Sequence, residues 1–158
     1  MATARPVKLL LRLDLNQLGS TKPEAIHFGV PYEQKEQAFR RIVFNVMGRN
    51  YDDHTKNISF RLRQGHAWEL APAYDIPFAH NPQGEWTSEH LTSVNGKFKD
   101  FRLDDFLEVA DRFALGRARA VTSQVRSAIK NWPHFAAQAQ LSQRVMDDVA
   151  MQHVMYEK

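Results

Sequence analysis

The sequence from residue 50 to residue 76 contains two short polar segments separated by two apolar-alternating runs. The polar segments are Asn50-Tyr51-Asp52-Asp53-His54-Thr55-Lys56-Asn57 and Tyr74-Asp75-Ile76. Just after the first, Ile58, Phe60 and Leu62 alternate with polar residues, which is typical of a half-buried strand. Asp52 and Asn57, an acid and an amide five residues apart, therefore precede a strand. A second acid, Asp75, follows the second run.

The two runs predict a β-hairpin whose loop is Gln64-Gly65-His66, with glycine where a left-handed residue is needed. The preferred register pairs Phe60 with Leu70 and Leu62 with Trp68, so that apolar residues face one another. A slip of one residue would place Glu69 opposite Phe60, which disfavours that alternative.

Extending the same ladder backwards predicts the position of the polar segments. It places Asn57 opposite Ala73 and Thr55 opposite Asp75, at one end of the hairpin. Paired residues in a ladder lie about 5 Å apart between α-carbons. We therefore expect Asn57 and Asp75 to lie close together, with the preceding loop bringing Asp52 to the same end.

The convergence of these side chains suits phosphoryl transfer from ATP. Asn57 and Asp75 offer the oxygen ligands that Mg²⁺ prefers, and Asp52 suits a base that orients a hydroxyl nucleophile. Two alternatives remain open from the residues alone. Asp, Asn and His after a helix are also common turn formers that bond to local backbone. A metal-dependent hydrolase using Asp52, His54 and Asp75 is a further, weaker possibility.

The rest of the chain predicts a mainly α fold with this one small hairpin. Apolar spacing indicates an amphipathic helix over residues 33–47 that ends at Gly48, and another over 103–115. Further helical pattern runs from 117 to 132, where Pro133 should end the helix, and on to about residue 156. Residues 1–32 read as an irregular segment, although Pro6 to Leu15 could be a strand or the start of a short helix.

Composition excludes several functional classes. The 158 residues contain no cysteine, so disulfides and thiolate metal sites are excluded, and a reducing cytoplasm is the expected location. Apolar runs are too short for a membrane span, and no signal peptide is evident. The net charge of +3 is too small to indicate nucleic-acid binding by itself. The scattered histidines form no His-x₃-His pair on a helix, which disfavours a helical zinc site.

The motif containing Asp52 and Asn57, together with the segment from Leu70 to Ile76, closely resembles the HipA-like serine/threonine kinase toxins of bacterial toxin–antitoxin pairs. Ser93 to Lys97 and the helix that begins at Leu103 also resemble that family. The resemblance covers roughly residues 35–130, and it implies that residues 33–158 form a C-terminal lobe of a kinase-like fold.

The resemblance implies a role for each motif residue. Asp52 matches the catalytic aspartate, and His54 a nucleotide-proximal residue. Asn57 and Asp75 match the metal ligands, and Lys56 belongs to the motif near phosphate. The implied cofactors are Mg²⁺ and ATP. The implied partners are a helix-turn-helix antitoxin, with its operator DNA, and a protein substrate such as glutamyl-tRNA synthetase.

One part of the family pattern has no match in this sequence. The phosphate-binding loop, the ATP-pairing lysine and the adenine-contacting hinge of the N-terminal lobe cannot be assigned, so residues 1–32 are expected to be at most a remnant of that lobe. A fragment, a truncated gene, or a lobe supplied by another polypeptide or a homodimer would each explain this. The alternative function is a non-catalytic lobe that binds an antitoxin, DNA or another protein. An uncovered apolar surface is expected on such a lobe.

Overall fold

The computed structural model describes residues 31–156, and within that range the fold is mainly helical with one small antiparallel hairpin. This confirms the predicted fold class. The predictions for residues 1–30, including a strand or helix from Pro6 to Leu15, lie outside the described residues, and the division at residue 32 stays a prediction. In the described range, every helix is too short or too polar to cross a membrane.

The first helix, α1, spans Tyr32–Met47 and confirms the predicted amphipathic helix. Its apolar stripe is buried, with Val43 and Met47 fully so. Gly48 follows the helix as predicted, but its φ of −86° is not left-handed. The left-handed residue is Arg49, with a φ of 60°. Glycine is required at 48 for space, because a Cβ there would lie 2.9 Å from the Phe44 carbonyl oxygen.

The hairpin consists of β1, Phe60–Leu62, and β2, Trp68–Leu70, in the predicted register. Two side chains of α1 hold it against the helix. Gln34 accepts a hydrogen bond from the Leu70 amide at 2.9 Å, and Arg41 donates to the Ala71 carbonyl. Burial lowers the pKa of the Arg41 guanidinium from its ordinary value. The end of β2 is therefore fixed against the first turn and the middle of α1.

Two further helices complete the core. Helix α2 spans Leu103–Arg112 and α3 spans Ala118–Lys130, and α3 packs along α1. The Phe106 side chain of α2 is completely buried between them. Helix α2 is shorter than the predicted range of 103–115 because the chain turns through a left-handed residue at Ala114, with a φ of 54°.

The C-terminal part forms α4, Trp132–Gln138, and α5, Gln143–Ala150. The prediction that Pro133 ends the preceding helix was wrong in detail. Helix α3 ends at Lys130, and Pro133 occupies the first turn of α4, where its missing N–H costs nothing. After α5 the chain returns to α1, because the Val154 amide donates to the Met47 carbonyl at 3.0 Å.

Residues 76–102 are mostly irregular. Val94 and Lys97 form an isolated bridge around Asn95 and Gly96, both with positive φ, as a tight Asn-Gly turn requires. The Lys97 ammonium then pairs with Asp105 at 2.7 Å, which joins this turn to the start of α2.

Candidate functional site

The loop between α1 and the hairpin carries the site, and its first residues are firmly anchored. Asn50 is 1% exposed; its amide donates to the Asn45 carbonyl at 2.8 Å, and its side chain donates to the Asn45 side chain. Arg49 donates to the carbonyl of Gln152 and to the hydroxyl of Tyr51. The left-handed turn at Arg49 is thus held by the C-terminal segment, and it directs the chain towards the motif.

Three predicted site residues come together in space. Asp52, His54 and Asp75 each place a potential ligand atom within 4.8 Å of those of the other two. The His54 Nε2 atom lies 3.7 Å from Asp52 Oδ1. The side chains of Asp52 and His54 are 42% and 37% exposed, and Asp75 is exposed, so a solute can reach all three. The geometry therefore agrees with the predicted convergence at one end of the hairpin.

The fourth predicted residue, Asn57, is oriented by a hydrogen bond within the loop. Its Nδ2 atom donates to the Asp52 carbonyl oxygen at 3.0 Å. Because the amide nitrogen is used in this way, the Oδ1 oxygen is the atom of the amide that remains for an external partner. The bond also joins the two ends of the motif, Asp52 and Asn57.

The local backbone differs from the predicted ladder. Thr55 to Asn57 form a single 3₁₀ turn rather than strand, and regular pairing ends at Phe60 and Leu70. The expected pairs of Asn57 with Ala73 and Thr55 with Asp75 are therefore wrong as ladder pairs. The two segments still meet, because the Tyr74 hydroxyl donates to the Lys56 carbonyl at 2.7 Å.

Asp75 itself has a left-handed backbone, with a φ of 52°. This conformation is uncommon for a non-glycine residue, although aspartate adopts it more readily than most. Lys56 has an exposed side chain.

Sequence reasoning missed the role of Asp53. Its carboxylate is 4% exposed and accepts hydrogen bonds from the His90 ring at 2.9 Å, the Leu91 amide at 2.8 Å and the Thr92 amide at 3.0 Å. The Thr92 hydroxyl donates in turn to the Asp53 carbonyl. We call this set of contacts the Asp53 anchor.

The Asp53 anchor locks the motif to a segment almost forty residues away. His90 is 2% exposed and packs on Tyr51, with ring centroids 4.0 Å apart, and on Phe101. Nothing in the spacing of Asp53 and His90 could have indicated this contact from the sequence. In the structure the exposure of the loop alternates: Tyr51 and Asp53 are buried, whereas Asp52 and His54 are partly exposed.

The chain matches the model of a known protein family. The family model described as the HipA-like C-terminal domain matches residues 23–133, which is more than half of the chain. The protein therefore belongs to the HipA-like C-terminal domain family, and the resemblance found in the motif is confirmed. No curated protein sequence gives a significant match to the chain.

The matched range includes the loop, the hairpin, α2 and α3, and all the predicted site residues lie within it. Helix α5 and the segment that returns to Arg49 lie outside it. Part of the support for the loop is thus supplied by residues beyond the family match.

Proposed function

We propose that this domain is the catalytic lobe of a HipA-like serine/threonine protein kinase that transfers the γ-phosphate of Mg-ATP to a protein hydroxyl. The observation that carries the proposal is the orientation of Asn57. Its side-chain nitrogen donates a hydrogen bond to the Asp52 carbonyl, which leaves its oxygen for a hard cation, and Asp52 and Asp75 supply two carboxylates that lie close to each other.

The residues present fit a magnesium ion. Asp75 and the Asn57 oxygen would hold it, since Mg²⁺ usually takes one or two protein oxygens and keeps water and phosphate oxygens for its other positions. When bound, the ion would neutralise charge on the nucleotide phosphates. Two carboxylates within 4.8 Å also repel each other, and a cation near both removes that repulsion.

Asp52 is suited to orient the acceptor hydroxyl and to accept its proton. A base must come within hydrogen-bonding distance, about 2.6–3.2 Å, of the group it deprotonates. The Asp52 side chain is 42% exposed, so a hydroxyl can approach it. Its backbone carbonyl is held by Asn57, and the neighbouring Asp53 anchor is buried. The carboxylate is therefore presented from a rigid support, as efficient positioning requires.

Calorimetric titration with ATP, with and without Mg²⁺, tests the nucleotide part of the proposal. Asp75→Ala should abolish the magnesium-dependent binding because it removes a metal ligand. Asp111→Ala, which removes an exposed acid from α2, is the matched control and should bind as the unchanged protein does. Binding that does not depend on magnesium, or that survives in Asp75→Ala, would contradict the assignment.

The catalytic part needs a separate measurement of phosphate transfer to a protein hydroxyl, with an N-terminal lobe supplied if the chain requires one. Asp52→Asn should keep magnesium-dependent nucleotide binding yet lose transfer, because the amide cannot accept the hydroxyl proton. Transfer at the unchanged rate in Asp52→Asn would refute the role of this residue. By the resemblance, we propose glutamyl-tRNA synthetase as a substrate and a helix-turn-helix antitoxin on operator DNA as a partner.

A second candidate is a non-catalytic binding module. It is favoured by the large side chains exposed next to Asp75, namely Tyr74, Ile76 and Phe78, each between 38% and 40% exposed. Such residues are enriched in protein interfaces. A homodimer, or a polypeptide that supplies the N-terminal lobe, could cover them. Absence of any ATP binding, together with concentration-dependent self-association, would favour this candidate over the kinase.

A further inference from the structure

The His54 side chain is not explained by a magnesium site. Mg²⁺ prefers oxygen ligands, whereas neutral imidazole is a ligand for zinc and related transition ions. His54 nevertheless lies in the same close group as Asp52 and Asp75, with ligand atoms within 4.8 Å of one another. The group thus offers two carboxylates and one imidazole, and both are ligand types that zinc accepts.

Unlike the rings of nearby histidines, the His54 ring is not held by a hydrogen bond among the described residues. The neighbouring histidines are engaged: His90 bonds through Nδ1 to Asp53, and His80 bonds through Nδ1 to Gln152. In His54, by contrast, Nδ1 is shielded from solvent and has no hydrogen-bond partner among the described residues. Nε2 faces Asp52 at 3.7 Å. Nε2 is therefore the ring nitrogen that is placed to bind an ion together with the carboxylates.

We propose that Asp52, His54 and Asp75 form a binding site for a zinc-type divalent transition ion that is occupied without any nucleotide. The site shares Asp75 with the proposed magnesium pair but replaces the Asn57 oxygen with the His54 imidazole. Water would complete the coordination, because the three side chains are all accessible and zinc sites with three protein ligands keep an open position.

The distances agree with such a site after small side-chain movements. Zinc binds nitrogen and oxygen ligands at about 2.1 Å, so two ligands of a tetrahedral ion are about 3.4 Å apart. The His54 and Asp52 atoms are already 3.7 Å apart, and no ligand pair in the group needs to close by more than about 1.4 Å from the 4.8 Å limit.

The site has a consequence for activity, and this consequence rests on the proposed kinase function. A zinc ion bound by Asp52 would occupy the oxygens that must accept the hydroxyl proton, and it would compete with magnesium for Asp75. Zinc should therefore inhibit phosphate transfer, and excess magnesium alone should reverse the inhibition poorly, because magnesium gains little from imidazole.

The test is a calorimetric titration of the nucleotide-free protein with zinc chloride, in a buffer that contains excess Mg²⁺. One ion should bind per chain. His54→Gln should weaken zinc affinity at least tenfold, since even residues that only support a metal ligand typically contribute 10–100-fold. His66→Gln, which removes an exposed histidine from the hairpin loop, is the matched control and should leave affinity unchanged. Cobalt absorption in the visible range gives an independent report of imidazole ligation.

Asp75→Asn provides a second variant in case His54→Gln disturbs the loop, and thermal unfolding verifies that each variant is folded. Zinc affinity that is unchanged in both variants, or equally reduced in His66→Gln, would overturn the proposal, as would the absence of zinc binding to the unchanged protein. The two proposals fail separately. Zinc binding without Mg-ATP binding would refute the kinase assignment alone, whereas the reverse would refute the zinc site alone.

Discussion

Removal of the Asp53 carboxylate should cause a large loss of stability. In Asp53→Ala, the His90 ring and the amides of Leu91 and Thr92 each lose an acceptor. The anchor is buried, with Asp53 4% exposed and His90 2% exposed, so water cannot easily replace the carboxylate. An unsatisfied buried donor costs about 1–3 kcal/mol, so three donors predict a loss of roughly 3–6 kcal/mol, allowing for partial relaxation. Small domains have about 5–15 kcal/mol of total stability, so much of it would be lost.

Equilibrium urea unfolding, followed by circular dichroism, measures this loss. Asp53→Asn should be milder, at about 1–2 kcal/mol, because the amide oxygen still accepts from one or both backbone amides. The His90 ring would then have to change its tautomer to accept from the new side-chain nitrogen. Asp111→Ala on the surface of α2 is the control and should change stability by less than about 0.5 kcal/mol. A loss below about 1 kcal/mol in Asp53→Ala would refute the reasoning.

Three further predictions concern the hairpin and the ionisable groups. Gly65→Ala should lower the free energy of unfolding in urea by about 1 kcal/mol, because Gly65 has a φ of +78°, which an L-residue adopts only with strain. Gly116→Ala is the control: it has the same open space but no positive φ, so it should be neutral. Equal effects of the two substitutions would contradict the turn geometry. Burial raises the pKa of Tyr156 to about 12, above its ordinary 10.0, so its contribution to stability is complete below pH 10 and is lost as the pH rises through about 12. Tyr156→Phe should remove this part of the alkaline loss, and an unchanged alkaline profile would refute it. Burial tends to raise the pKa of Asp105, but hydrogen bonds from the Lys97 ammonium and the Arg102 amide outweigh it and hold the pKa below the ordinary value. The stability that this lowered pKa contributes is present at neutral pH, and it is lost as the pH falls below about 4 and through the pKa of the folded state. Lys97→Met removes one of the groups that lower the pKa, so the loss of stability in acid unfolding should be smaller.

The local elements of this protein could be predicted from its sequence because they depend on short-range patterns. Helical spacing located α1 to within one residue of its observed start, and apolar alternation gave the hairpin register without error. Helix ends were less predictable. Ala114 and Pro133 show why, because a left-handed turn and a proline that begins a helix both depend on the packing of the next element.

The sequence predicted which residues of the candidate site lie close together, but not the backbone structure that brings them there. The motif and the family resemblance placed Asp52, His54 and Asp75 together, and the structure agrees. The strand pairing expected to bring them together does not exist, because Thr55 to Asn57 prefer a 3₁₀ turn that lets the Asn57 side chain bond back to Asp52. The close approach is held by the turn and by Tyr74 instead.

The sequence by itself determined the class of fold, the family and the polar residues that form the candidate site. Each of these depends on side-chain type and on spacing within a few turns of the chain. The tertiary structure alone decided which residues support that group. The Asp53 anchor and the bond from Arg49 to Gln152 join segments about 40 and 100 residues apart. Contacts at such separations leave no periodic pattern, because they follow from how the helices pack and not from any local preference of the backbone.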